Sequence, residues 1–179
     1  MWRSRYRRAV STDRLDIDDV DLESLILARN DAHPDGDWWF DPGSGESLYL
    51  GVDDDQDLAR LREGGHVLIP REPQPRGDID DFLASDELAR TGEDVVVRLL
   101  DAYRGRGGLR RFREVVGRTA AADAWGRFML SREGVRAIDW LLDRGVVDEG
   151  SARRRRDELA GASIGTEGGT APQQGRDRG

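Results

Sequence analysis

Apolar positions change their spacing about half-way along the chain. Before Pro70 they come in short blocks, and beyond Gly77 they return every three or four residues. Between Asp16 and Ala28, Ile17, Val20, Leu22, Leu25, Ile26 and Leu27 fall near a helical repeat. Asp16, Asp18, Asp19 and Asp21 crowd its start, where negative charge suits the helix dipole. Turn formers from Asn30 to Asp37 predict a loop. Trp38-Trp39-Phe40 and Ser47-Leu48-Tyr49-Leu50 then predict two strands around the turn Asp41-Pro42-Gly43-Ser44-Gly45, with aromatic and apolar side chains placed for cross-strand pairing. Asp53-Asp54-Asp55-Gln56-Asp57 is expected as a solvated acidic loop. His66 to Pro70 makes a third strand ended by proline, and Arg71 to Gly77 an extended linker.

In the second half, Ile79, Phe82 and Leu83 predict a short helix. Val96, Leu99, Leu100 and Tyr103 predict an amphipathic helix closed by Gly105, Gly107 and Gly108. The next helix, Leu109 to Val116, is expected to bury Leu109, Phe112 and Val116. Trp125, Phe128 and Met129 mark one further apolar face, and Val135, Ile138, Leu141 and Leu142 another. Gly145 stands where a C-terminal cap belongs, with Val146 placed to fold back on the last turn.

The pattern amounts to an α+β fold: an N-terminal helix and a short antiparallel sheet of about three strands, followed by a C-terminal helical cluster. The expected boundaries are a single domain over 14–148, with helix and sheet in 14–70 and the helical part in 78–148. A basic flexible arm over 1–13 and a polar disordered tail over 149–179 would flank it.

Composition narrows the chemistry. The formal net charge is −8, with 36% charged and 37% hydrophobic residues, and every Lys/Arg position is arginine. The acidic balance disfavours non-specific affinity for nucleic acid. With no cysteine, disulfides, thiolate metal sites and cysteine nucleophiles are excluded. No lysine is present for Schiff-base or phosphate-loop chemistry, and Pro42-Gly43-Ser44-Gly45 lacks the Gly-Lys-Ser/Thr ending of a phosphate loop. The early aspartates lack the glycine and glutamate of a calcium loop. His33 and His66 are the only histidines, and nothing in their spacing makes them converge. The basic N-terminus is followed by no apolar signal core, and no run reaches the roughly 20 apolar residues of a membrane helix, so a cytoplasmic location is expected. No catalytic residue, metal or cofactor is assigned.

The densest chemical feature is Tyr103-Arg104-Gly105-Arg106-Gly107-Gly108-Leu109-Arg110-Arg111-Phe112-Arg113-Glu114. Gly105, Gly107 and Gly108 make a hinge between two packed helices. Arg104, Arg106, Arg110, Arg111 and Arg113 are candidates to contact a partner or a phosphate, since guanidinium groups bind carboxylate and phosphate in a two-pronged geometry. The competing reading is pairing within the chain, with Asp101, Glu114 and Asp139 as partners. The stretch resembles the Gly-Arg-Gly-Ala-Phe-Arg-Arg-Phe-Lys-Asp motif of a bacterial group catalogued as uncharacterised protein family 0158. Trp125-Gly126-Arg127-Phe128, Ala137-Ile138-Asp139-Trp140-Leu141, Phe40 to Glu46 and Val67 to Pro70 are similar to further segments of that family, in order. Gly108 and Leu109 in place of Ala-Phe, and Gly126 in place of an aromatic, depart from it. The resemblance supports the fold and implies no activity. The functional expectation is a non-enzymatic protein-binding adaptor or regulatory module, its surfaces the acidic stretch 53–57 and the arginine helix 106–113. The alternative is an RNA- or DNA-binding protein that uses the arginines around 104–113, with the basic arm and Arg153 to Arg156 assisting.

Overall fold

A computed structural model describes residues 14–31, 33–51, 55–71 and 77–162. The expected arm over 1–13 and the tail beyond Ala162 lie outside the described residues. The fold is α+β, with a three-stranded antiparallel sheet and eight α-helices among the described residues.

The early aspartates act as caps. Asp16 accepts from the Asp18 N–H and opens a 3₁₀ turn at Ile17–Asp19, and Asp21 accepts from the Ser24 N–H at 3.0 Å and opens α1, Leu22–Asn30. The expected single helix from Asp16 is thus two elements, because Val20 and Asp21, with ψ of 129° and 78°, break the helical run before α1. Strands β1 (Gly36–Phe40) and β2 (Ser47–Gly51) form the hairpin, in the register Trp38↔Tyr49 and Trp39↔Leu48. Asp41 accepts from the Gly43 N–H and the Ser44 hydroxyl at 2.8 and 2.9 Å and fixes the turn. β3 is only Val67–Leu68 and pairs with β1, giving the order β2-β1-β3. Between β2 and β3 runs α2, Asp55–Glu63, where an acidic loop is expected as far as Asp57; positions 53 and 54 lie outside the described residues.

The helical half follows as α3 (Gly77–Leu83), α4 (Asp86–Ala89), α5 (Glu93–Tyr103), α6 (Gly108–Val116) and α7 (Ala121–Arg144). The two apolar faces expected around Trp125 and Leu141 belong to one helix of 24 residues. It ends at Gly145, whose N–H bonds the Leu142 carbonyl while the Val146 N–H returns to Leu141, the paired bonds of a Schellman cap.

Helix α7 serves two cores. Its first half packs Ala124, Phe128 and Met129 with Phe82, Leu88, Leu99 and Phe112 of α3 to α6. Its second half packs Ala137, Ile138 and Leu141 with α1 and the sheet, where Trp140 meets Phe40 edge to face. Phe82 is fully buried and touches the rings of Phe112, Trp125 and Phe128.

The expected disordered tail from 149 is corrected. Residues Glu149–Ala162 form α8, which lies along α7 with Ser151 and Ala152 buried. Asp148 starts the helix by accepting from the Ser151 N–H at 2.8 Å. The Ser151 hydroxyl in turn accepts from the Ile17 N–H, and Leu15 pairs with Val147 in a parallel bridge. Ser151→Ala leaves the buried Ile17 N–H without that acceptor. It is expected to lower stability by about 1–3 kcal/mol in urea unfolding followed by circular dichroism.

Candidate functional site

The arginine junction is built from α5, a four-residue turn and α6. Val95, Val96, Leu99 and Tyr103 turn α5 toward the core, and Phe112, Val115 and Val116 do the same for α6. Gly105 and Gly107 adopt φ of 73° and 78°, left-handed backbone that side chains disfavour. Gly108 answers a different need. A Cβ there would stand 1.9 Å from the Tyr103 carbonyl oxygen, so this close approach of α6 to the end of α5 requires glycine. The same approach sets the rotation of α6. Gly108 is buried and Leu109, expected in the core, is 39% exposed on the outer side.

The five candidate arginines separate into distinct roles. Arg111 lies back across the turn. Its Nε donates to the Ala102 carbonyl at 3.1 Å, Nη1 to Arg106 at 2.8 Å and Nη2 to Arg104 at 2.5 Å. These acceptors include a carbonyl from the last turn of α5, which has no partner within its own helix. Arg111 is therefore a clamp on the hinge. Arg104 pairs with Asp101 at 2.8 Å and Arg110 with Glu114 at 3.0 Å. Both pairs are exposed and local, of the kind that contributes roughly 0.2–1 kcal/mol and exchanges readily for another anion. Arg106 and Arg113 are exposed. Asp139, the third acid expected to pair with this helix, instead holds Arg156 of α8 at 2.7 Å.

Other candidate groups settle elsewhere. His66 is buried and faces Asp41 at 3.9 Å beyond the C-terminal end of β1. His33 precedes the N-terminal end of β1 and meets the Tyr49 hydroxyl. Among the described residues no three His, Asp or Glu side chains converge to hold a metal ion, and no helix is long and apolar enough to cross a membrane. A water-sized hollow of about 10 Å³ lies among Ile26, Arg29, Asn30, Glu133 and Arg136. Burial pushes the Glu133 carboxyl above its ordinary range, against the opposing pull of Arg136 and the Asn30 hydrogen bond.

Sequence spacing pointed to the arginines and passed over the aromatic cluster of Trp38, Tyr49 and His33 beside α1. The signal was present in the hairpin: a tight turn after Phe40 sets Trp38 opposite Tyr49. Compared with protein-family models, curated proteins and solved structures, the chain matches none. The resemblance at the arginine junction thus rests on the quoted residues alone.

Arg111→Ala is expected to destabilise the protein by about 1–2 kcal/mol, since one half-buried and two exposed carbonyls of the turn lose a charged donor. Arg110→Ala should stay within about 0.5 kcal/mol of the parent, as exposed pairs do; chemical denaturation compares the two. For Glu133 the sign follows from its raised folded-state pKa. The folded chain holds that proton more tightly than the unfolded one, so ionisation costs stability as pH rises above the unfolded value. Glu133→Gln should melt higher than the parent at pH 7, and the difference should close below about pH 4.

Proposed function

We propose that this chain is a protein-binding module that docks an acidic, amphipathic segment of a partner on the outer face of α6. The observation that carries the reading is Leu109, 39% exposed on α6, with Arg110 and Arg113 exposed on the same helix and Arg106 exposed in the turn before it. An apolar side chain among guanidinium groups suits a partner that brings both a hydrophobic anchor and carboxylates. A phosphate backbone has no use for the leucine, and a net charge of −8 opposes a polyanion at long range. The Arg111 clamp and the Gly108 contact fix the turn, so little ordering is required when a ligand arrives.

The test is fluorescence anisotropy with a labelled peptide of alternating glutamate and leucine turns, beside a labelled single-stranded RNA. Arg110→Ala/Arg113→Ala should weaken the peptide about five- to tenfold, as loss of two exposed charge contacts would. Leu109→Ser should weaken it about tenfold through lost apolar burial. Tight, salt-steep RNA binding that survives Leu109→Ser and falls with the arginines would replace this reading with nucleic-acid binding.

A further inference from the structure

The hairpin carries a second surface of opposite sign, far from α6 in the chain. Trp38 and Tyr49 sit opposite each other on β1 and β2, with ring centroids 5.3 Å apart at 61°. The His33 ring stands edge-on to Tyr49 at 6.0 Å and 83°. The three rings make a corner whose members are held in place. The Trp38 indole N–H donates to Asp31 at 2.7 Å, and the Tyr49 hydroxyl lies 3.3 Å from His33 Nδ1. Gly36 makes room: a Cβ there would sit 2.6 Å from the Tyr49 ring, so the tyrosine approaches β1 this closely only because that strand begins with glycine.

This corner is acid-rimmed and open to solvent on its Tyr49 and His33 side, while Trp38 is half-buried against the core. Tyr49 is 37% exposed, the His33 side chain 57% and the Asp35 side chain 80%. Asp31 anchors the indole, and both this hydrogen bond and the His33 N–H hold its carboxyl below the usual range, keeping it ionised. Asp37 adds a further carboxylate, paired with Arg71 at 3.4 Å; Arg71 also donates to the Gly36 carbonyl. Leu27, 64% exposed, lies one helical turn before Asp31. The chain itself shows what such rings accept: arginines stand over Trp39, Trp140 and Phe128 at 5.2–5.9 Å. Among the described residues none stands over Trp38 or Tyr49.

We propose that the corner formed by Trp38, Tyr49 and His33 binds an arginine side chain of a partner protein, with Asp31 and Asp35 as its counter-charges. A planar guanidinium stacks on an aromatic face while its edge donates to carboxylates, and a lysine ammonium does so less well. The site uses none of the α6 residues, so it stands or falls separately from the docking face there.

The experiment titrates the full-length, ¹⁵N-labelled protein with a Gly-Arg-Gly peptide, using Gly-Lys-Gly for comparison. The Trp38 indole resonance, assigned with Trp38→Phe, should shift saturably, and the lysine peptide should bind more weakly. Tyr49→Leu should weaken the arginine peptide about fivefold, the factor of an exposed cation–π contact. Asp35→Asn should weaken it about two- to threefold, whereas Asp18→Asn, on the exposed 3₁₀ turn, should leave it unchanged. An unmoved Trp38 indole, or equal losses in Asp35→Asn and Asp18→Asn, would overturn the proposal in favour of general attraction to an acidic surface. If Tyr49→Leu does not fold, the contrast between the two aspartate variants still decides.

Discussion

A single helix has to satisfy two separate hydrophobic cores, and the middle of α7 shows how it does so. Between Phe128 and Ile138 the helix carries Arg132, Glu133 and Arg136, charges placed where neither core extends. Arg136 reaches Asp78 at 3.1 Å and Arg132 reaches Asp81, both on α3, while Arg127 reaches Glu87 on α4 at 2.9 Å. Asp78 and Glu87 are 5% and 9% exposed. Carboxylates that deep are costly to strand without a cation, so removing the arginine partner of either would be strongly destabilising. Helices α5 and α6, which carry the arginine turn between them, join the same core through Leu99, Phe112 and Val116.

What the sequence disclosed depended on whether packing leaves an apolar mark. The hairpin, the Gly145 cap, α5 and the α+β arrangement were legible because period, turn residues and capping residues agreed. Helix α8 was not, since it docks through Ser151 and Ala152 and two of its arginines pair along their own helix, Arg153 with Glu149 and Arg155 with Glu158 at 3.1 Å, while Arg156 crosses to Asp139 of α7. Such a segment carries almost no hydrophobic period, and its surroundings decide its structure. Helix α2 hid behind a run of aspartates for the same reason. At α6 the spacing fitted two rotations, one burying Leu109 and one burying Gly108. The close approach to Tyr103 chose the second, and a glycine records such contact by having no side chain.

Arginine does several jobs in a chain that has no lysine. Arg111 closes a turn by bonding to carbonyls, Arg136 neutralises a buried acid, and Arg29 and Arg144 flank the indole of Trp140 at 5.8 and 5.9 Å. These are uses of a flat, forked, permanently charged group that an ammonium would fill poorly. Neighbours in sequence differ as much as residues far apart: Arg110 faces solvent while Arg111 is built into the fold. A run of arginines therefore reveals little until each guanidinium is followed to its acceptor.

The bridge between Leu15 and Val147 joins the opening of the described chain to the connection between α7 and α8. Asp148 N–H bonds Leu15 at 2.7 Å, Leu15 N–H bonds Val146 at 3.1 Å, and Ser151 receives Ile17. Closing a loop of that length loses chain entropy, which the bonds of this clasp have to offset. Once made, it joins the opening segment and α8 into one cooperative unit. Loss of either side would strip those shared hydrogen bonds from the other, so the segment around Leu15 and the start of α8 hold each other in place.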